Sequence, residues 1–165
     1  PSSPESIVFF PEYYEWLDEI SPAHIFSRSI HGEGFRMRKS FENGILNYRK
    51  YDSCLENALT VESPESLCKI ALNRLRWPSR LEGIFREKYE NVIKKYMGTA
   101  FTLAVKDQDF PMLQFICEHF SPDASALASA IDQCIEKEWG EGNAFLIEAK
   151  HKSFSKKTFD FDLDF

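Results

Sequence analysis

Apolar residues recur at three- and four-residue spacing over most of the second half of the chain, the pattern of amphipathic helices. The clearest helix starts at Ser63 and Pro64, because serine caps helix N-termini and proline fits the first turn. Trp77 and Pro78 end it, and a longer helix is predicted over 79–97. The pattern favours an all-α fold.

The pattern of apolar and polar residues over 98–149 predicts two successive helix pairs. Short polar segments that suit turns separate the four apolar stretches, and these segments are 106–109, 121–123 and 139–142. Because short connections place consecutive helices side by side, we expect a compact array of antiparallel helix pairs.

The first third of the chain is less regular. We predict a helix over 11–20, a short turn through Ile25 and Phe26, and one or two helices within 35–60, interrupted near Asn43. The only compact β-prone run, residues 7–10, is too short to imply a sheet.

The end of the chain alternates apolar and acidic residues, and such a segment suits docking in extended form, with one side apolar. We divide the chain into an N-terminal extension (1–10), a single helical domain (11–150), and a basic linker with an acidic-aromatic tail (151–165). We expect Phe161 and Phe165 to anchor a partner. The full predicted set of partner-binding residues is Phe159, Phe161, Asp162, Leu163, Asp164, Phe165 and Trp77.

Composition and charge limit the function classes. The chain has 165 residues, 43% of them hydrophobic, which suffices for a core. A net charge of -6 argues against nucleic acid or an anionic membrane as partner, and no apolar run is long enough to span a bilayer. The opening Pro1-Ser2-Ser3-Pro4 suggests a fragment of a longer chain.

Titratable residues show no catalytic or metal-binding spacing, so we expect no enzymatic activity, no metal and no cofactor. The four cysteines are spread widely and favour the reducing cytoplasm or nucleus. The residues considered are His24, His31, His119, His151, Cys54, Cys68, Cys117 and Cys134.

Within 98–149 the helix pairs resemble ankyrin-type repeats. Residues 101–104 and 127–130 stand where that family has its first helix, and 113–116 and 145–147 where it has its second. The Thr-Pro-Leu-His signature is missing and the first-helix matches lie 26 residues apart, whereas the family repeats at ~33. A generic array of helical hairpins is an equal alternative. Both imply a stacked domain that binds proteins.

Residues 63–85 resemble the box that recruits elongin B/C and cullin to substrate adaptors. Cys68 and Leu72 match it, Pro64 stands where leucine is expected, and 75–81 resembles the cullin-selecting segment. The resemblance implies a ubiquitin-ligase adaptor, which is the alternative function. The other interpretation of this segment is a buried amphipathic helix whose Leu67 and Cys68 face the core.

The tail is similar to the C-terminal peptide of ribonucleotide reductase small subunits. Phe159, Phe161, Asp162, Asp164 and Phe165 match that peptide. The likeness implies a partner or competitor of that enzyme's large subunit, since the metal ligands of the enzyme are missing upstream. A generic acidic-aromatic docking tail is the alternative. The function expected from the sequence is therefore a non-enzymatic module that docks on another protein through its helical face and its tail.

Overall fold

The computed structural model describes residues 7–20 and 25–161, and these are predominantly helical, as predicted. The helices of this part of the chain are α1 (Gly34–Arg38), α2 (Tyr48–Ser53), α3 (Leu55–Val61), α4 (Pro64–Arg76), α5 (Gly83–Lys95), α6 (Met97–Lys106), α7 (Phe110–Phe120), α8 (Ala124–Glu136) and α9 (Gly140–Phe161). The strands are β1 (Tyr14–Ile20), β2 (Ile25–His31), β3 (Phe41–Glu42) and β4 (Ile45–Leu46).

The chain divides into two compact units with the boundary between Ile93 and Lys94. The predicted helical domain over 11–150 therefore contains parts of both units. The first unit holds the strands and α1 to α4, and the second holds α6 to α9.

The predicted helix over 11–20 is wrong, and so is the predicted turn through Ile25. Strands β1 and β2 pair antiparallel there, with Tyr14 opposite His31 and Ile20 opposite Ile25. The helix was predicted because the apolar residues within 14–20 have helical spacing. The partner strand that stabilises the extended form lies outside that window, and β-preference depends strongly on such context.

A second hairpin, with two residues in each strand, lies between α1 and α2, where the sequence predicted an interruption near Asn43. Strand β3 pairs with β4, with Phe41 opposite Leu46. Asn43 and Gly44 both have positive φ (52° and 78°), which is the combination that a tight two-residue turn requires.

Helix α4 buries seven of its thirteen residues, and its predicted start is confirmed. The Ser63 hydroxyl accepts a hydrogen bond from the Ser66 amide at 3.2 Å, and Pro64 is the first helical residue. Its buried residues are Leu67, Cys68, Ile70, Ala71, Leu72, Arg74 and Leu75. The helix predicted over 79–97 is shorter in the structure, because α5 begins only at Gly83.

The second unit contains the four helices that the sequence predicted over 98–149. Helix α6 packs against α7 and α8, and α9 packs against α8 and α7. The turns of the two hairpins share one hydrogen-bond pattern 30 residues apart. The Asp109 amide donates to the Ala104 carbonyl at 2.9 Å, and the Trp139 amide donates to the Cys134 carbonyl at 2.9 Å. This spacing differs from the 26 residues suggested by the apolar motif.

Helix α9 continues far beyond its predicted end. The segment predicted as a linker is helical, and so are tail residues Phe159 to Phe161, which were expected to be extended. The reason is that the intervening lysines are good helix formers and prolong a helix already nucleated by packing. Residues 162–165 lie outside the described residues. In the described part of the chain, no helix combines the length and apolar character needed to cross a membrane.

Candidate functional site

A fully buried ion pair lies at the centre of the first unit. Arg74 on α4 meets Asp52 on α2 through two parallel hydrogen bonds, Nε to Oδ1 at 2.8 Å and Nη2 to Oδ2 at 2.9 Å. This fork geometry is the strongest way in which a guanidinium holds a carboxylate. A buried charge needs such compensation, because its transfer from water is otherwise very unfavourable.

Three tyrosines complete this buried cluster. The Tyr89 hydroxyl donates to Asp52 Oδ1 at 2.6 Å, the Tyr48 ring lies 4.8 Å from the Arg74 guanidinium carbon, and the Tyr51 hydroxyl donates to the Phe9 carbonyl. Burial, and then the charge of Asp52, raise the pKa of Tyr51 and of Tyr89. Both phenols therefore stay neutral under physiological conditions.

The Arg74 guanidinium also holds the turn that follows α4. Burial opposes its charge, but the hydrogen bonds and charge of Asp52 outweigh burial and raise its pKa. Its remaining donors reach two backbone carbonyls, Trp77 at 3.3 Å and Ser79 at 3.1 Å. The chain reversal between α4 and α5 is thus fixed to the core.

Trp77, a predicted partner-binding residue, ends α4 and is half-buried. The guanidinium carbon of Arg76 lies 4.5 Å from the centre of its ring system. The indole therefore has one face occupied by a neighbour in its own chain. The backbone of Trp77 helps to fix the turn after α4, because its carbonyl accepts a hydrogen bond from Arg74.

A cleft of about 470 Å³ opens beside this turn, and we name it the Ile45 cleft. Its lining residues are Glu42, Asn43, Ile45, Leu46, Asn47, Tyr48, Arg49, Arg80 and Glu82. Ile45 is 71% exposed, and its neighbour Phe41 is also exposed. Each strand of this hairpin thus carries one large apolar side chain that is open to solvent.

The charged side chains of the Ile45 cleft are of both signs. Arg49 and Glu82 form an ion pair at 3.7 Å. Lys50 and Asn47 both donate to Glu42, and together they lower the pKa of this carboxyl. Asn47 also caps α2, accepting from the Lys50 amide at 3.1 Å. The cleft therefore combines the apolar side chains of Ile45 and Leu46 with polar residues and with charges of both signs.

The thiols of the described residues are poorly suited to nucleophilic chemistry. Burial raises the pKa of Cys54 to about 11, with help from the charge of Glu33, and raises those of Cys68 and Cys117 to about 12. Burial also raises the pKa of Cys134. The thiolate is the reactive form, so burial disfavours nucleophilic chemistry at these side chains.

Other residues that the sequence singled out are scattered or buried. Phe159 and Phe161 lie in the last turns of α9, and Asp162, Leu163, Asp164 and Phe165 lie outside the described residues. Cys68 and Leu72, the matches to the elongin box, are fully buried. Within the described residues, no group of three His, Cys, Asp or Glu side chains could hold a metal ion.

Sequence reasoning missed the buried pair and the cleft. Arg74 did fall within the apolar stripe of its helix, and a charged residue there is the one available signal of a buried partner. Nothing in the sequence pointed to Asp52, 22 positions earlier, as that partner.

Comparison with known proteins found no relative: no family model, no curated protein and no solved structure matches this chain.

Proposed function

We propose that this chain is a non-enzymatic protein-interaction module that docks on a partner protein through the Ile45 cleft. The observation that carries the proposal is the exposure of Ile45 on a hairpin next to a turn anchored by Arg74. Because Arg74 already fixes the turn on one side of the cleft, binding there orders less of the chain, and apolar contacts contribute more efficiently to affinity.

The chemistry of the cleft defines the partner. An apolar side chain fits against Ile45 and Leu46, while charges of both signs on the partner meet Arg49, Arg80 and Glu82. The apolar contact supplies most of the free energy of binding, and the charges supply orientation and association rate.

The C-terminal residues are a second contact in this proposal. Phe161 and Phe165 remain the proposed anchors on the strength of the sequence pattern alone. Because Phe161 belongs to α9, the segment that docks there is helical at its start.

The four cysteines are free thiols, which supports the cytoplasm or nucleus as the location.

The alternative role as a ubiquitin-ligase adaptor receives little support from the packing of α4. Cys68 and Leu72 would have to fill a pocket on elongin, but both are fully buried in the first unit. Capture of elongin B/C by the full chain would restore that alternative.

Affinity capture with matched variants tests the proposal. The full chain, Ile45→Glu and Ile84→Glu are compared under reducing conditions, together with a chain that ends at Lys157. Ile84 is exposed on α5 and does not line the cleft, so it is the control. We expect Ile45→Glu to lose a partner that Ile84→Glu retains, with unchanged unfolding midpoints for both.

Retention of every partner by a folded Ile45→Glu chain would refute the cleft as the docking site. If the chain ending at Lys157 then loses the partner, the tail alone is the contact. If the truncated chain keeps the partner that Ile45→Glu loses, the tail is not required.

A further inference from the structure

A second cleft, of about 290 Å³, lies in the second unit and is lined by α9, by α8 and by the end of α7. We name it the Lys152 cleft. Helix α9 supplies Lys152 and Lys156, and both side chains are exposed. Within the described part of the chain, no acidic side chain lines this cleft. The Lys152 cleft is therefore positively charged, although the chain as a whole carries a net charge of -6.

The charge of Lys152 is available to a ligand of the cleft. Lys152 forms an ion pair with Glu148, one turn earlier on α9, at 2.9 Å. Both side chains are largely exposed, and a surface pair of this kind contributes little free energy. Lys152 can therefore exchange Glu148 for another anion with little loss of stability.

The elements other than α9 line the Lys152 cleft mainly with apolar residues. Cys117 comes from α7, Pro122 from the turn after it and Leu127 from α8, while Ser121 is polar. An occupant that complements the cleft therefore presents acidic groups toward α9 and apolar groups toward α7 and α8.

The spacing of the two lysines matches that of an extended chain. Lys152 and Lys156 are four residues apart, so they are separated by about 6 Å along α9. Residues two apart in an extended chain lie on the same side and are separated by about 6.6 Å. Acidic residues at alternate positions thus meet both lysines, and the residues between them face the apolar lining.

The sequence after α9 has this alternation. In residues 162–165, Asp162 and Asp164 alternate with Leu163 and Phe165. In extended form such a sequence has two carboxylates on one side and two apolar side chains on the other. Its charge and its spacing both complement the Lys152 cleft.

Residues 162–165 are too close to α9 to align with both lysines of their own chain. Helix α9 ends at Phe161, so Lys152 lies about 13.5 Å before that end. Asp164, three residues beyond Phe161, reaches at most about 11 Å from it. A segment that brings Asp162 and Asp164 level with the two lysines therefore comes from another copy.

We propose that the Lys152 cleft binds residues 162–165 of a second copy of this chain. The two aspartates pair with the two lysines, and Phe165 packs on the apolar lining. Because each copy has one cleft and one such segment, the exchange is reciprocal and closes a dimer. This pairing names the partner of the tail contact proposed above and rests on that contact, but it uses none of the residues of the Ile45 cleft.

A charge-exchange experiment tests this pairing. Sedimentation equilibrium of the full chain should show dimers at rising concentration. One variant combines Lys152→Glu with Lys156→Glu, and the other combines Asp162→Lys with Asp164→Lys. Each variant alone has like charges in its cleft and its tail, so each should weaken the dimer at least about tenfold. An equal mixture should recover dimers, because each cleft then meets a tail of opposite charge.

The mixture also separates this pairing from a local effect within α9. Lys152→Glu removes the ion pair with Glu148, and mixing does not restore it, so recovery can come only from contacts between copies. Lys94→Glu combined with Lys95→Glu is the control for net charge, because both lysines are exposed on α5 and neither lines the cleft. This control should leave the dimer unchanged.

A full chain that stays monomeric would overturn the proposal. Dimers that neither charge variant weakens would also overturn it, and so would a mixture that forms no dimers. Affinity capture with Ile45→Glu tests docking through the Ile45 cleft separately, so a failure of this pairing leaves that result unaffected.

Discussion

At the scale of single residues, the Arg74–Asp52 pair makes the stability of the first unit sensitive to substitution. Both side chains are buried and matched by hydrogen bonds. A buried pair is often no more stabilising than apolar residues of similar volume, but removing one partner leaves an uncompensated charge in the core. The pair therefore makes the fold intolerant of change at either position.

We predict that Arg74→Met lowers the free energy of unfolding by about 3–5 kcal/mol, as measured by urea denaturation. Lys69→Met on the same helix is the control, because Lys69 pairs with Glu65 at the surface, and such pairs contribute at most about 0.5 kcal/mol. Adding Asp52→Asn to Arg74→Met should recover part of the loss, since it removes the unpaired charge. Equal effects of Arg74→Met and Lys69→Met would contradict this account.

At the scale of elements, the first turn of α1 packs closely against the backbone before β1. A Cβ atom on Gly34 would lie 1.8 Å from the Pro11 carbonyl oxygen, far inside van der Waals contact. Gly98 near the start of α6 is the opposite case, because a Cβ atom added there would meet no atom within 4 Å apart from its neighbours in the chain and the backbone of its own helix.

We predict effects of opposite sign for the same substitution at these two glycines. Gly34→Ala should destabilise the chain by about 1–3 kcal/mol or more, since a backbone atom must move. Gly98→Ala should stabilise it by about 0.5–1 kcal/mol, because alanine loses less backbone entropy in a helix. Thermal unfolding followed by circular dichroism measures both, and a stable Gly34→Ala chain would show that α1 is not held against Pro11.

Local signals explain which elements the sequence could predict. Helix α4 was predictable because Ser63 and Pro64 carry their preference within one turn, and the four later helices because polar turns separate them. The β1–β2 hairpin was not, since its stability comes from the pairing of two strands, from Tyr14 with His31 to Ile20 with Ile25, rather than from the residues of either strand alone.

The candidate site was largely hidden for a similar reason. Ile45 is an ordinary apolar residue in the sequence, and its exposure follows from the two-residue turn at Asn43 and Gly44. The partner of Arg74 is distant in the chain. Trp77 was singled out correctly as the end of α4, but its role as a partner-binding residue stays a prediction.

At the scale of the whole molecule, the two buried tyrosines make stability depend on alkaline pH. The pKa of Tyr51 and of Tyr89 is raised in the folded chain by burial and by Asp52. An unfolded tyrosine ionises near pH ~10. Above that pH the unfolded chain loses protons that the folded chain keeps, so the free energy of unfolding falls as pH rises.

We predict a loss of ~1.4 kcal/mol per tyrosine at pH ~11, one unit above the unfolded pKa. Tyr89→Phe should make the decline between pH ~9 and ~11 shallower. Urea denaturation across this range measures the slope. A slope that Tyr89→Phe does not alter would mean that Tyr89 is not protected from ionisation in the fold.

The contacts of Arg74 have a consequence for any ligand of the Ile45 cleft. The same guanidinium holds the core carboxylate and the turn that leads to Arg80 and Glu82. Ligand binding and global unfolding are then linked equilibria, because unfolding of the core releases the wall of the cleft. Occupancy should therefore be readable as a rise in melting temperature that grows with ligand concentration, which makes a thermal-shift screen of peptide libraries a direct route to the partner.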